Sequence, residues 1–110
     1  MSFRVRTISA FERHSKPLMK KYPSLRDELK DLVLHLREDP EQGVPLGMGC
    51  YKIRVAIASK GKGRSGGARV VTCVYSIEAT VWLLTIFDKS DRESISDKEL
   101  KALVAAIPAK

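Results

Sequence analysis

The sequence has few of the residues that build metal sites and disulfide frameworks. It contains two cysteines, Cys50 and Cys73, and two histidines, His14 and His35. There is no C-x-x-C pair, and no second histidine or cysteine follows either histidine at the spacing of a helical metal site. We therefore expect reduced thiols, no metal and no other cofactor. Neither histidine lies near the basic segment described below, which gives little support to a Ser-His or Cys-His nucleophile.

Long hydrophobic runs are also missing. The longest uncharged apolar run, Ala79–Phe87, is about half of the ~18 residues that a transmembrane helix needs. Residues 2–7 include charges where a signal peptide has its apolar stretch. We therefore expect a cytoplasmic protein that does not enter a membrane. A chain of 110 residues, 44% hydrophobic and 30% charged, predicts a single globular domain, residues 1–110.

Acidic residues are absent from the middle third of the chain, between Glu41 and Glu78. That stretch carries these cations: Lys52, Arg54, Lys60, Lys62, Arg64 and Arg69. The formal net charge is +7, yet residues 1–41 and residues 78–110 are each close to neutral. The excess positive charge therefore belongs to one segment, which favours a local anion-binding surface over a generally basic protein.

The first part of the chain predicts a strand followed by two helices. Apolar and polar residues alternate over Phe3–Ile8, and a Ser9/Glu12 capping box then starts a helix that Pro17 is expected to kink or end. A second helix opens at Pro23-Ser24, with Asp27 at its capping-box position, and runs to about Asp39. Its apolar stripe is Leu25, Leu29, Leu32, Val33 and Leu36.

The second part predicts three strands and a last helix. Residues 41–49 are rich in glycine and proline and are predicted to be loop. A period of two over Tyr51–Ala58 predicts a strand, a glycine-rich segment follows, and Ala68–Ser76 and Thr80–Phe87 are two further strands. A capping box at Ser96–Glu99 starts the last helix, predicted to bury Leu100, Leu103, Val104 and Ile107. The order β-α-α-β-β-β-α predicts an α+β fold, with an antiparallel sheet and the helical pair on one face.

The basic segment suits phosphate chemistry. Lys52 and Arg54 are two residues apart on a strand and so share a face, and a hairpin would bring Arg69 beside them. Arginine forks and lysine ammonium groups bind phosphate oxygens. The alternative is a solvated strand with a basic loop. Residues 61–67 lack the G-x-x-x-x-G-K-[ST] order and precede a strand, which argues against a nucleotide-binding P-loop.

Three stretches resemble toxins of the RelE/ParE superfamily, and most closely the RelE/HigB-type toxins of bacterial type II toxin–antitoxin modules. They are Cys50-Tyr-Lys-Ile-Arg-Val, the basic run from Lys60 through Val71, and Leu83-Leu-Thr-Ile-Phe-Asp-Lys89. The resemblance covers almost the whole chain. It implies a RelE-like fold and a metal-independent ribonuclease that cuts mRNA in the ribosomal A site, where the RNA 2′-OH attacks the adjacent phosphate.

The resemblance also implies the site residues. The expected catalytic cations are Lys52, Arg54, Arg69 and Lys89. Additional RNA contacts are predicted for Lys60, Lys62, Arg64 and Arg92. Like charges nearby make a lysine easier to deprotonate, which suits Lys52 to general-base catalysis, while the arginines stabilise the charge that develops on phosphorus. Active relatives place an arginine and then a tyrosine after the last strand, whereas here no tyrosine follows Tyr75.

The expected partners are a cognate antitoxin, mRNA and the ribosomal A site, and the free toxin is expected to be a monomer. Two other functions are compatible with the resemblance. One is a ParE-like protein that poisons DNA gyrase without cleaving RNA, and the other is a catalytically silent RNA- or ribosome-binding module. The presence of Lys52, Arg54 and Arg69 together on one face favours the ribonuclease.

Overall fold

A five-stranded sheet with the order β1-β5-β4-β3-β2 forms the centre of the computed structural model, which describes residues 2–60 and 66–108. The strands are β1 (Arg4–Thr7), β2 (Val44–Gly47), β3 (Cys50–Val55), β4 (Ala68–Tyr75) and β5 (Thr80–Asp88). The helices are α1 (Ser9–Lys21), α2 (Leu25–Glu38) and α3 (Asp97–Ala105), with a short 3-10 helix at Ala58–Lys60. The predicted RNA contacts Lys62 and Arg64 lie outside the described residues.

The predicted α+β class and the antiparallel β3-β4-β5 meander are confirmed. The sheet as a whole is mixed, because β1 pairs with β5 in parallel, Val5 opposite Val81. The prediction of a loop over residues 41–49 was wrong in part, since β2 pairs antiparallel with β3. Pro45 is tolerated there because β2 is an edge strand, in which one side of the backbone makes no ladder hydrogen bonds.

The helix starts differ from the predicted capping boxes in two cases out of three. Ser96 caps α3 as predicted, its hydroxyl accepting the Glu99 N–H at 3.1 Å. The residue before α1 is Ile8, which makes no side-chain cap, and the Ser24 hydroxyl donates to the Glu28 carboxylate instead of capping α2. The early end expected at Pro17 does not occur, since α1 continues to Lys21.

The two faces of the sheet have separate cores. The helix face packs against α1 and α2, and its core includes Phe11, Leu25, Leu29, Leu32, Leu36, Ile53, Val55, Val70, Val81, Leu83 and Ile86. The opposite face, here called the α3 face, has a core that includes Cys50, Val71, Cys73, Trp82, Leu84, Phe87, Leu100 and Ile107. The leucine stripe of α2 is thus buried as its spacing predicts. Of the apolar residues predicted for α3, Leu103 and Val104 are only partly buried.

A bulge in β5 interrupts its alternation. Val71 pairs with Thr85 and Thr72 pairs with Leu83, so Leu84 has no partner in β4. Such an extra residue shifts the side chains that follow it by one position relative to a regular strand. As a result Phe87 lies on the α3 face, like Trp82, while Asp88 lies on the helix face, opposite Ala68.

In the described part of the chain, no helix combines the length and the apolar character that crossing a membrane requires.

Candidate functional site

The register between β3 and β4 brings two predicted arginines together. Arg54 lies directly opposite Arg69, and Lys52 lies opposite Val71, so all three cations project from the α3 face. Directly opposed residues in an antiparallel pair have their Cβ atoms about 4.5–5.5 Å apart. The end of this hairpin therefore carries two opposed arginines.

The two arginines differ sharply in exposure. Arg54 is exposed, whereas only 2% of the Arg69 side chain is accessible to solvent. Arg69 donates from a guanidinium NH to the carbonyl of Ala68 at 3.1 Å, and its Nε lies 3.5 Å from the Glu93 carboxylate. The hairpin places Arg69 beside Lys52 and Arg54 as predicted, but its side chain is covered. A buried guanidinium needs counter-charge and hydrogen-bond acceptors, and the segment after β5 supplies part of them.

Glu93 lies among three of the four predicted catalytic cations. One of its carboxylate oxygens faces Arg69, and the other lies 3.7 Å from the Nζ of Lys89. Its backbone carbonyl accepts a hydrogen bond from the Nζ of Lys52 at 3.2 Å. The Glu93 side chain itself is 57% exposed. The structure therefore gathers Lys52, Arg69 and Lys89 around one residue, and the carboxylate of that residue faces Arg69 and Lys89.

Lys60 has contacts that the sequence did not predict. Its ammonium group forms an ion pair with Asp88, donates to the Ser90 hydroxyl at 2.9 Å and reaches the Gly67 carbonyl at 3.4 Å. The Lys60 and Asp88 side chains are only 8% and 2% exposed. This geometry engages Lys60 in the fold, so an RNA contact by Lys60 stays a prediction without support from its position.

The Asp88 carboxylate collects several donors at the end of β5. Besides Lys60, it accepts hydrogen bonds from the Tyr22 hydroxyl and from the Ser90 N–H, both at 2.8 Å. Burial on its own raises the pKa of this carboxyl, but the hydrogen bonds from Lys60, Ser90 and Tyr22 outweigh it and hold the pKa of Asp88 well below its ordinary value. Asp88 thus stays ionised and fixes the start of the segment that carries Glu93.

Arg92 anchors the same segment from the other side. Its guanidinium makes a bidentate pair with Glu99 of α3, at 2.8 and 2.7 Å, and lies 4.6 Å from the centre of the Phe87 ring. The hydrogen bonds from Arg92 lower the pKa of the Glu99 carboxyl. Arg92 was predicted to contact RNA, and in the structure its guanidinium holds the segment against α3.

Two cavities lie away from Lys52, Arg54, Arg69 and Lys89. One of about 600 Å³ is lined in part by Arg4, Arg6 and Trp82 at the β1 edge, and Arg6 lies 5.3 Å above the Trp82 ring. Another, of about 460 Å³, lies between α1 and β5, where the Nδ1 of His14 is 2.6 Å from the Thr85 hydroxyl. The exposed cations Arg54 and Lys89 instead lie outside these cavities, on the surface of the protein, which suits an extended ligand better than an enclosed small molecule.

Sequence reasoning missed Glu93 and Asp88 as parts of this region. Nothing in the local sequence distinguishes Glu93 from the other acids after β5, because its position depends on how that segment folds back over β3 and β4. Asp88 ends an apolar strand, and a carboxylate there signals a buried partner. That signal was available, and it identifies Asp88 as part of an ion pair but does not identify Lys60 as its partner.

Comparison with known proteins identifies the family. A family model described as the RelE toxin of the RelE/RelB toxin–antitoxin system matches residues 5–108. A mutant of E. coli RelE in the free state is similar over 98% of this chain and 100% of that chain, with a TM-score of 0.62 and 21% identity. Isolated E. coli RelE in a P21 crystal form is similar over 97% of this chain and 100% of that chain, with a TM-score of 0.56 and 22% identity.

A third solved structure is a mutant of E. coli RelE in complex with a peptide of the antitoxin RelBc. It is similar over 93% of this chain and 95% of that chain, with a TM-score of 0.57 and 22% identity. At these identities the solved structures show the shared fold, and the family model covers nearly the whole sequence. The chain therefore belongs to the RelE toxin family of RelE/RelB toxin–antitoxin systems.

Proposed function

We propose that this protein is a single-domain cytoplasmic toxin that cleaves mRNA on the ribosome without a metal ion. The observation that carries the proposal is that Lys52, Arg69 and Lys89 all contact one residue, Glu93. Arg69 and Lys89 face its carboxylate, Lys52 binds its backbone carbonyl, and Arg54 lies directly opposite Arg69. Cations grouped in this way bind a phosphodiester backbone through charge-assisted hydrogen bonds. Membership of the RelE family supports the same substrate.

In the proposed reaction, the RNA 2′-hydroxyl oxygen attacks the adjacent phosphorus while the bond from phosphorus to the 5′-oxygen breaks. Lys52, in its neutral form, takes the proton of the 2′-hydroxyl. Arg54 and Arg69 stabilise the negative charge that develops on the phosphoryl oxygens, since an arginine keeps its proton. The products are a 2′,3′-cyclic phosphate and a 5′-oxygen that takes up a proton from water. No tyrosine follows Tyr75 to supply that proton.

We propose a cognate antitoxin as the protein partner. The support is the family, together with the fact that one of the similar E. coli RelE structures contains an antitoxin peptide. The electropositive α3 face fits a partner segment that carries acidic residues. Co-expression with the neighbouring reading frame would test this: we expect the two products to co-purify and the growth defect caused by the toxin to disappear.

Mapping mRNA 5′ ends in growing cells tests the ribonuclease. We expect cuts within translated codons, and we expect them to be lost in the double variant Lys52→Ala, Arg54→Ala. A matched control, Arg26→Ala with Lys30→Ala, removes the same two charges from exposed positions on α2, on the other side of the sheet, and should still cut. Thermal unfolding of both variants checks that each is folded.

The alternatives give different results in the same cells. A gyrase poison leaves the message uncut and produces trapped double-strand DNA breaks. A silent ribosome-binding module leaves both the message and the DNA intact but sediments with ribosomes. Either pattern, obtained with folded wild-type protein, contradicts the ribonuclease.

A further inference from the structure

We propose that the Glu93 carboxylate occupies the position of the substrate phosphate in the resting toxin, and that a phosphodiester has to displace it in order to bind. This inference rests on the proposed function. It adds the location of the substrate phosphate and a side chain of the toxin that competes with the phosphate for the same cations. The ligand is a phosphodiester of a single RNA strand, and the competitor is an acidic side chain of the same molecule.

The contacts of Glu93 match those that a phosphate would make. Its two carboxylate oxygens are divided between the Nε of Arg69, at 3.5 Å, and the Nζ of Lys89, at 3.7 Å. The Nζ of Lys52 donates to the backbone carbonyl of the same residue at 3.2 Å. A carboxylate and a phosphate present similar oxygen geometry to arginine, so both select the same cationic surroundings. The carboxylate thus marks where a phosphoryl group lies when RNA replaces it.

The segment that carries Glu93 is anchored by the residues just before Glu93. At the start of the segment, the Lys89 N–H donates to the Gly67 carbonyl at 3.0 Å, and Ser90 donates to Asp88. Just before Glu93, Arg92 is fixed by its bidentate pair with Glu99. Directly after these anchors the backbone presents Glu93 to the cations, so the fold of the segment sets its position.

The contacts of the carboxylate are nevertheless weak enough to exchange. Both oxygen–nitrogen distances are longer than the 2.7–2.9 Å of a strong charge-assisted hydrogen bond. The Glu93 side chain is 57% exposed, so water screens its ion pairs and each contributes little free energy. A phosphodiester carries its own full charge and can use the guanidinium fork, which allows it to compete. Glu93 then moves toward solvent while the anchors at Lys89, Ser90 and Arg92 stay in place.

Substitution of the single carboxylate tests the inference. Glu93→Gln keeps the size of the side chain and removes its charge, and Glu38→Gln is the matched control, since Glu38 is exposed at the end of α2 and the same charge is lost. The probe is a short fluorescent single-stranded oligonucleotide with 2′-deoxy sugars, which cannot be cleaved. We expect Glu93→Gln to bind it about two- to fivefold more tightly than Glu38→Gln does, as loss of a screened ion pair implies.

Cleavage in a purified translation system supplies the second readout. We expect Glu93→Gln to cut at least as fast as the wild type at low mRNA concentration. Equal oligonucleotide affinity for Glu93→Gln and Glu38→Gln overturns the inference. A drop of tenfold or more in the cleavage rate of Glu93→Gln also overturns it, because Glu93 would then act in the reaction itself. Tighter binding by Glu93→Gln in a protein that never cleaves RNA supports the anion position and contradicts only the proposed ribonuclease.

Discussion

The ammonium group of Lys60 and the carboxylate of Asp88 form an ion pair from which water is almost completely excluded. Removing one member of a buried pair leaves the other charge without compensation, which typically costs about 3–5 kcal/mol. We expect Lys60→Ala to lower the free energy of unfolding by about 3 kcal/mol, measured by urea denaturation. Lys30→Ala, at an exposed position on α2, is the control and should change it by less than about 0.5 kcal/mol.

Replacing Lys60 and Asp88 together by apolar residues separates the contribution of their ion pair to stability from that of side-chain packing. Replacing both partners, with Lys60→Met and Asp88→Leu, should recover part of the stability lost in Lys60→Ala, because no charge then remains buried alone. A double variant less stable than Lys60→Ala would show that the other donors to Asp88, Tyr22 and Ser90, account for more of its contribution than Lys60 does.

The pH dependence of stability follows from the lowered pKa of Asp88. The unfolded carboxyl titrates near ~3.9, and the folded one titrates well below that value. The stabilisation is therefore fully present above about pH 4. It is lost as the pH falls below about 4 toward the folded pKa, because the unfolded state takes up its proton first.

Urea denaturation between pH 7 and pH 2.5 measures this loss. We expect the stability difference between the wild type and Asp88→Asn to be constant above about pH 5 and to shrink below about pH 4, since asparagine does not titrate. A difference that stays constant down to pH 2.5 would contradict the assignment of the lowered pKa to Asp88.

Alanine variants of the opposed residues Arg54 and Arg69 distinguish an effect on catalysis from an effect on stability. Arg54 is exposed, so we expect Arg54→Ala to leave the melting temperature almost unchanged. Arg69 is buried, so we expect Arg69→Ala to lower the free energy of unfolding by about 2 kcal/mol. If both arginines stabilise the transition state, each variant should slow cleavage about 100-fold under conditions where it is folded. Rates are compared at a temperature at which circular dichroism shows both variants to be native. Wild-type cleavage by Arg54→Ala would remove Arg54 from the proposed mechanism.

Much of the fold was predictable because its signals are local. The leucines of α2 repeat at helical spacing, and the alternation after Tyr51 identifies β3. The pairing of β1 with β5 was not predictable in this way, since it joins the two ends of the chain and depends on packing of the whole sheet. The strand β2 was not predicted because Pro45 and its neighbouring glycines are typical of a loop. A proline is compatible with a strand at the edge of a sheet, and the edge position of β2 is known only once the whole sheet is formed.

The candidate site was predictable only in part. The spacing of Lys52 and Arg54, together with the hairpin, indicated the shared face on which Arg69 joins them. The burial of Arg69 and the placement of Glu93 depend on the segment after β5, whose path is set by contacts distant in sequence. Charge counting also treats every lysine in the basic segment alike, whereas the structure engages Lys60 with Asp88.

The extra residue Leu84 in β5 decides on which side of the sheet the last carboxylate of the strand lies. With uninterrupted alternation after Leu83, Asp88 would project from the same side as Arg54 and Arg69, and Phe87 would turn toward the helices. A fixed negative charge would then lie permanently among the cations. One inserted residue thus keeps the Asp88 carboxylate with Lys60 on the helix face and away from Arg54 and Arg69 on the α3 face.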